Sequence, residues 1–285
     1  MKYKMIAIDL DGTLLSPTRE VTPRTKAAIH RALEAGLLIC FATGRNFTES
    51  QTVLDAIEHY DSAVFVGGAM VIDTRQRVTL HRTLMDPALA RELCQFFESR
   101  GEAALALQDS QAAGVDYLVT SRFEQHPTND KWFKMTGSTA CRATDLPHHS
   151  HEHTLRVGMV APTEIAKAIH AELQTIFGSR ITSHCFLGGD IGVVEVFDPS
   201  VSKWQGLLHV ASRHEIKPDE IIAIGDDLND MTMVSNAGLG VAMGNAHPDL
   251  LKCAAKVIGS NREDGLAIFL EDLLATHAVE PARRN

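Results

Sequence analysis

Three short clusters hold the residues best able to do chemistry: Asp9-Leu-Asp-Gly-Thr13, Thr43-Gly44-Arg45 and Gly225-Asp-Asp-Leu-Asn-Asp230. Asp9 and Asp11 stand two residues apart, a spacing that in an extended strand sends both side chains to one side. Carboxylates so close repel each other, and a divalent cation relieves the repulsion. Asp226 and Asp230 add oxygen ligands, and none of the clusters contains cysteine or histidine. An all-oxygen site completed by waters and a substrate phosphate suits Mg2+ rather than Zn2+. Gly12 and Thr13 open a turn whose N–H groups could cradle an anion. Lys203, next to Ser202 at a helix start, would supply the positive charge that a phosphate site needs. Each cluster alone has a plainer explanation, since Asp-Gly and Thr-Gly are ordinary turn pairs and most lysines lie on the surface. Their common position in the pattern of elements favours the chemical reading.

That position follows from the apolar runs. Residues 4–8, 37–42, 63–66 and 220–224 read as short buried strands, and a cluster or a Gly-Gly pair follows each. Thr22 and Pro23 open a helix that Gly36 closes, with Ala28, Ile29, Ala32 and Leu33 on its inner face. A second helix runs to about Tyr60. Strand, helix, strand, helix, strand predicts an α/β fold with a doubly wound, Rossmann-like parallel sheet. Ligands bind such sheets beyond the carboxyl ends of the strands, where these clusters fall.

The texture changes between residues 84 and 187. A helix from Asp86-Pro87 to about Gly101 precedes strands at 103–107 and 115–120. An irregular polar stretch spans roughly 122–153. Strand 155–160, helix 163–177 and strand 181–187 follow. The pattern predicts an inserted α+β module at 84–187, with residues 1–83 and 188–285 forming the core. In the core a helix capped by Ser202, a strand at 239–243 and a last helix over about 264–274 complete the pattern, and 279–285 reads as a frayed tail.

Composition narrows the classes of function. The net charge is −9 and no basic cluster occurs before Arg283-Arg284, so the electrostatic footprint of a nucleic-acid binder is missing. The N-terminus lacks the pattern of a signal peptide, and no apolar run reaches membrane-spanning length. A cytoplasmic protein, monomeric or weakly self-associating and with neither a membrane nor a nucleic-acid partner, is expected. Five scattered cysteines without a CxxC pair suggest free thiols rather than disulfides or a zinc site.

The four motifs Asp9-Leu-Asp-Gly-Thr-Leu14, Thr43-Gly-Arg45, Ser202-Lys203 and Gly225-Asp-Asp-Leu-Asn-Asp230 occur in the order and spacing of a known family. The chain resembles the haloacid dehalogenase-like phosphohydrolases, specifically the Cof-type branch with an inserted α/β cap. The likeness extends from Ile6 to about Leu274 and includes Ala242-Met-Gly-Asn-Ala246. It implies a magnesium-dependent phosphatase of small phosphate monoesters, such as sugar phosphates or related metabolites. By the same resemblance, Asp9 is the nucleophile that becomes an aspartyl-phosphate, and Asp11 is the acid and then the base. Thr43, Gly44, Arg45, Lys203 and Asn229 contact the substrate, with Thr43 and Lys203 also catalytic. Asp9, the backbone carbonyl of Asp11 and Asp226 hold Mg2+, and Asp230 supports the site. The cap sets specificity.

The chain departs from the branch pattern at two places. Gly67-Gly68-Ala69 replaces the usual Asn-Gly-Ala, removing a polar side chain. Asp227 stands where Asn is frequent and is expected to sit outside the metal's shell. Other features are read as structural: His148-His-Ser-His-Glu-His153 as a solvated loop, Trp132 and Phe133 as local packing, and Gly188-Gly-Asp190 as a hinge or a tight turn. Two alternatives to the phosphatase remain at this level. One is a phosphotransferase or phosphomutase on the same fold, which must keep water from the aspartyl-phosphate. The other is a catalytically silent protein that only binds phosphometabolites.

Overall fold

The computed structural model describes residues 2–120, 122, 127–143 and 145–278. Strand β1 (Met5–Ile8) is buried along its whole length, as expected of a strand covered on both faces. Helix α1 (Pro23–Glu34) starts where the cap predicts: the Thr22 hydroxyl accepts from the N–H of Thr25, and Pro23 occupies the first turn. Strand β2 (Leu38–Phe41), helix α2 (Phe47–Ile57) and strands β3 (Ser62–Phe65), β4 (Met70–Asp73) and β5 (Val78–Arg82) follow. The third strand differs from expectation. It belongs to a small sheet in the order β3-β4-β5, antiparallel to β4, and is joined to the parallel sheet at the Ala42–Val64 bridge.

The chain divides into two compact units. One holds residues up to Asn46, Ser50–His81 and the chain from Ser202 onward; the other holds Phe47–Glu49 and Arg82–Val201. The second unit contains helix α3 (Pro87–Glu98), β6 (Leu105–Gln108), α4 (Ser110–Ala113), β7 (Tyr117–Thr120), α5 (Pro127–Thr136), β8 (Ala140–Ala143), β9 (Thr154–Pro162), α6 (Thr163–Phe177), β10 (Thr182–Gly188) and β11 (Ile191–Phe197). Its six-stranded sheet runs in the order β10-β11-β9-β6-β7-β8. Val157, Met159 and Ala161 of β9 pack with Leu93 and Phe97 of α3 and Leu173 of α6 in one apolar cluster. Strand alternation turns Arg156 to the opposite face, where it pairs with Glu195 and donates to the Tyr117 hydroxyl at 2.8 Å. Trp132 stands edge-on to Tyr117 and Phe133 there, so the two aromatic residues are packing groups.

Several sequence expectations are corrected here. The module was expected to end at 187, but β11 pairs with both β10 and β9, so the second unit continues to Val201. Gly188-Gly-Asp190 is therefore the tight turn of the β10–β11 hairpin rather than a hinge. The stretch read as irregular contains α5 and β8. Its histidines are not all solvated: His151 is fully buried, with Nδ1 2.9 Å from the Thr154 hydroxyl and Nε2 2.8 Å from the Leu146 carbonyl. The tail at 279–285 lies outside the described residues. Cys40, Cys94, Cys185 and Cys253 are free thiols.

The first unit resumes with α7 (Lys203–Arg213), β12 (Ile221–Gly225), α8 (Met231–Asn236), β13 (Leu239–Ala242), α9 (Pro248–Cys253), β14 (Lys256–Val257) and α10 (Gly265–Ala278). Its main sheet has the order β14-β13-β12-β1-β2 and is parallel throughout. Met5 and Ala7 face a core formed with Leu207 and Val210 of α7, Met233 and Val234 of α8 and Leu250 of α9. Ile6 and Ile8 alternate to the other face. In this register Ile8 lies beside both Ile224 and Phe41, and Gly225 beside Ala242. The residues that follow these four strands share one rim. Among the described residues, no helix is long and apolar enough to cross a membrane.

Candidate active site

Asp9 is the first residue past β1, still tied into the sheet by its N–H to the Ile224 carbonyl at 3.1 Å. The chain then makes a wide turn over Leu10–Leu14, closed by Leu14 N–H to Asp9 carbonyl at 3.2 Å and Leu15 N–H to Leu10 carbonyl at 2.9 Å. Gly12 takes φ +81°, which L side chains rarely adopt. A Cβ there would stand 2.0 Å from Asp226 Oδ2, so the turn lies directly on the second acidic cluster. The strand spacing expected for Asp9 and Asp11 does not hold, because the strand has already ended. Asp9 is 5% exposed, whereas the Asp11 side chain is 53% exposed and paired with Arg45, whose Nε lies 2.7 Å from Asp11 Oδ2. The charge of Asp11 is thus met by a guanidinium, and its carboxylate lies outside the acidic cluster.

Lys203 reaches the rim from the opening of α7. The Ser202 hydroxyl caps the helix by accepting from Gln205 N–H. The Gly67-Gly68 pair explains how α7 comes so near: Gly68 has φ +111°, and a Cβ on it would stand 1.9 Å from the Ser202 carbonyl. A side chain is excluded there by the backbone that presents Lys203. The lysine is 1% exposed, and its Nζ donates to Asp9 Oδ1 and Asp230 Oδ1, each at 2.6 Å.

Asp226 and Asp230 enter after β12. Asp230 is fully buried and fully used: Oδ1 accepts from Lys203, and Oδ2 accepts from the N–H groups of Asp226 and Asp227 at 2.9 and 3.1 Å. Asp227 caps the turn by accepting from Leu228 N–H at 2.7 Å. Asp226 Oδ1 accepts from the Thr13 hydroxyl at 2.9 Å.

Ligand oxygens of Asp9, Asp226 and Asp230 lie within 4.8 Å of one another. Burial, reinforced by Asp230, Asp226 and Asp11, pushes the Asp9 carboxyl well above its usual range against the opposing pull of Lys203. Burial and then Asp230 push Asp226 up to about 7. Burial alone would lower the Lys203 pKa, but Asp230 and Asp9 outweigh it and hold the ammonium charged. With every group ionised, three carboxylates and one ammonium leave two negative charges, which one divalent cation would balance. The donor set is all oxygen, as Mg2+ requires, and the site fits that ion. Because Asp230 is occupied, Asp9 and Asp226 are the side chains with oxygens to offer.

The other expected residues are placed as follows. Thr43 is buried just past β2, where its hydroxyl accepts from Arg45 N–H at 3.1 Å. Gly44 and Arg45 continue that turn, and Arg45 spends its guanidinium on Asp11. Asn229 is half-buried in the turn Leu228–Asp230. Sequence reasoning gave Thr13 only a backbone role and Asn245 none, yet the side chains of both touch Asp226. Thr13 lay within a quoted motif, and Asn245 within the 242–246 segment.

A parallel α/β sheet with a lysine-bridged cluster of carboxylates at its carboxyl rim is an arrangement suited to enzymes that act on anionic substrates. The family model for haloacid dehalogenase-like hydrolases matches residues 6–270, and the chain belongs to that family. A 5-amino-6-(5-phospho-D-ribitylamino)uracil phosphatase of Bacillus subtilis is 27% identical, with 95% of this chain and 98% of that protein covered. A pyridoxal phosphate phosphatase of Escherichia coli is also 27% identical, covering 95% and 98%. The solved structure of a haloacid dehalogenase-like hydrolase from Bacteroides thetaiotaomicron superposes with a TM-score of 0.78 at 21% identity, covering 95% of this chain and 99% of that one.

Proposed function

We propose that this chain is a magnesium-dependent phosphomonoester hydrolase of small phosphorylated metabolites, working through an aspartyl-phosphate on Asp9. One observation carries the reading: Asp9 has one oxygen fixed by Lys203, Oδ2 accepts no hydrogen bond among the described residues, and a carboxylate oxygen of Asp9 lies within 4.8 Å of one from Asp226. Family membership and the phosphatase activities of the two relatives support the reaction class.

In this mechanism Asp9 Oδ2 attacks phosphorus as the bond to the leaving oxygen breaks, and Asp11 gives that oxygen its proton. Asp11 then takes a proton from the water that hydrolyses the aspartyl-phosphate, which frees Asp9 and inorganic phosphate. Lys203 offsets the charge on the transferring group, and Thr43, Gly44, Arg45 and Asn229 hold it and its substrate. Asp9, Asp226 and the backbone carbonyl of Asp11 would hold Mg2+, which would supply further neutralisation of phosphoryl charge. Asp230 keeps Lys203 aimed. The choice of substrate is assigned to the second unit.

The test is phosphate release from a panel of sugar phosphates, phosphorylated heterocycles and an aryl phosphate, with Mg2+ and with chelator. Release is expected to need Mg2+ and to fall by about 10³-fold or more in Asp9→Asn. Activity retained in that variant, or untouched by chelator, refutes the mechanism.

A further inference from the structure

One side chain outside the roles assigned above touches both halves of the acidic site. Asn245 lies past β13, where its Nδ2 donates to the Gly12 carbonyl at 2.9 Å and stands 3.5 Å from Asp226 Oδ2. Its Oδ1 accepts the backbone N–H of Asn261 at 2.9 Å. Only the amide oxygen can accept that hydrogen bond, so Asn261 fixes which way the Asn245 amide faces. The side chain of Asn261 in turn donates to the Leu15 carbonyl at 2.8 Å. Two amides therefore grip the wide turn that follows Asp9, one at its middle and one at its end.

The middle grip has a particular consequence. Gly12 is pressed against Asp226 so closely that no Cβ fits between them. Thr13, the next residue, donates to Asp226 Oδ1. A single amide at Gly12 thus holds the turn that orients Asp226 and approaches the carboxylate's other oxygen. A carboxylate steadied on both sides loses less freedom when it takes up a cation, and such outer contacts typically change metal affinity by about 10- to 100-fold.

We propose that Asn245 is a positioning residue that sets the divalent-cation affinity of the site by locking the Gly12 turn onto Asp226. The inference rests on the metal-dependent reading above. Asn261 supplies the comparison: its side chain holds the same turn through one hydrogen bond but does not reach Asp226, and its backbone N–H survives substitution.

The experiment is calorimetric titration of the full chain with Mg2+ alone, alongside thermal melting of the metal-free protein. Asn245→Ala is expected to weaken Mg2+ binding by about 10-fold, and Asn261→Ala to leave it within about 2-fold. Both should melt lower than the parent, since each loses one hydrogen bond to the turn. If the alanine variant does not fold, Asn245→Ser is titrated instead, because serine is too short to span Gly12 and Asn261; the same weakening is expected. Unchanged affinity at position 245, or equal weakening in both variants, overturns the inference and leaves the phosphatase reading standing. A parent protein that binds no Mg2+ overturns both.

Discussion

Replacing Asp226 with asparagine should make the metal-free protein more stable, and increasingly so as pH rises. Asp226 has an ordinary value of 3.8 and is pushed to about 7 by burial and by Asp230. The fold therefore keeps a proton that the unfolded chain has already lost, and the folded state binds more protons across the window from about pH 4 to about pH 7. Stability from this carboxyl is greatest below that window and is lost as pH rises through about 7. Full ionisation would cost about 4 kcal/mol at 1.36 kcal/mol per pKa unit. Asp226 is only partly buried and keeps the Thr13 hydrogen bond, so a working figure of about 2 kcal/mol between pH 5 and pH 8 is reasonable. Asparagine carries no such penalty. In thermal melts with chelator, the gap between Asp226→Asn and the parent should widen by about 4–8 °C over that pH range. Added Mg2+ at pH 8 should raise the melting temperature of the parent and leave the variant where it was. A gap that is constant or narrows with pH would refute the electrostatic account.

Three other outcomes are expected. Lys203→Met should lower phosphate release by about 10²- to 10³-fold and destabilise the metal-free protein by about 3 kcal/mol, measured by turnover and urea titration. Gly68→Ala forces a side chain onto the Ser202 carbonyl at φ +111° and should cost more than about 2 kcal/mol, whereas Gly36→Ala, at φ +84° with open space around it, should cost about 1 kcal/mol; urea midpoints compare them. Glu195→Gln leaves the buried Arg156 charge facing a neutral group and should cost the second unit about 3 kcal/mol, followed by the fluorescence of Trp132.

The sequence carried the parallel sheet well because buried strands such as β1 and β12 are short apolar runs with turn residues immediately behind them. Helices α1 and α6 were legible at both ends, since Thr22, Pro23 and Gly178 act through local backbone chemistry. β11 was missed for a non-local reason: nothing within residues 191–197 states that its partners are β9 and β10. Helix α5 lay hidden in a polar stretch because it buries only Thr128, Asn129 and Trp132, which make no apolar stripe. At the site, the motif residues Asp9, Lys203, Asp226 and Asp230 meet in one cluster. The relation of Asp9 to Asp11 was misjudged by treating the turn as strand. The service of Gly68 was invisible too, because what a missing side chain makes room for is a fact of packing.

The order of the main sheet has a consequence for how the chain is made. One of its inner strands, β1, needs β12 as a flank, and more than two hundred residues separate Ile8 from Ile224. A growing chain emerging from the ribosome holds β1 and β2 long before the third neighbour exists, while residues 82–201 are a continuous stretch that contains all its own strand partners. The module inserted between the two halves of that layer can therefore settle first, and the catalytic layer closes last around a strand translated long before it.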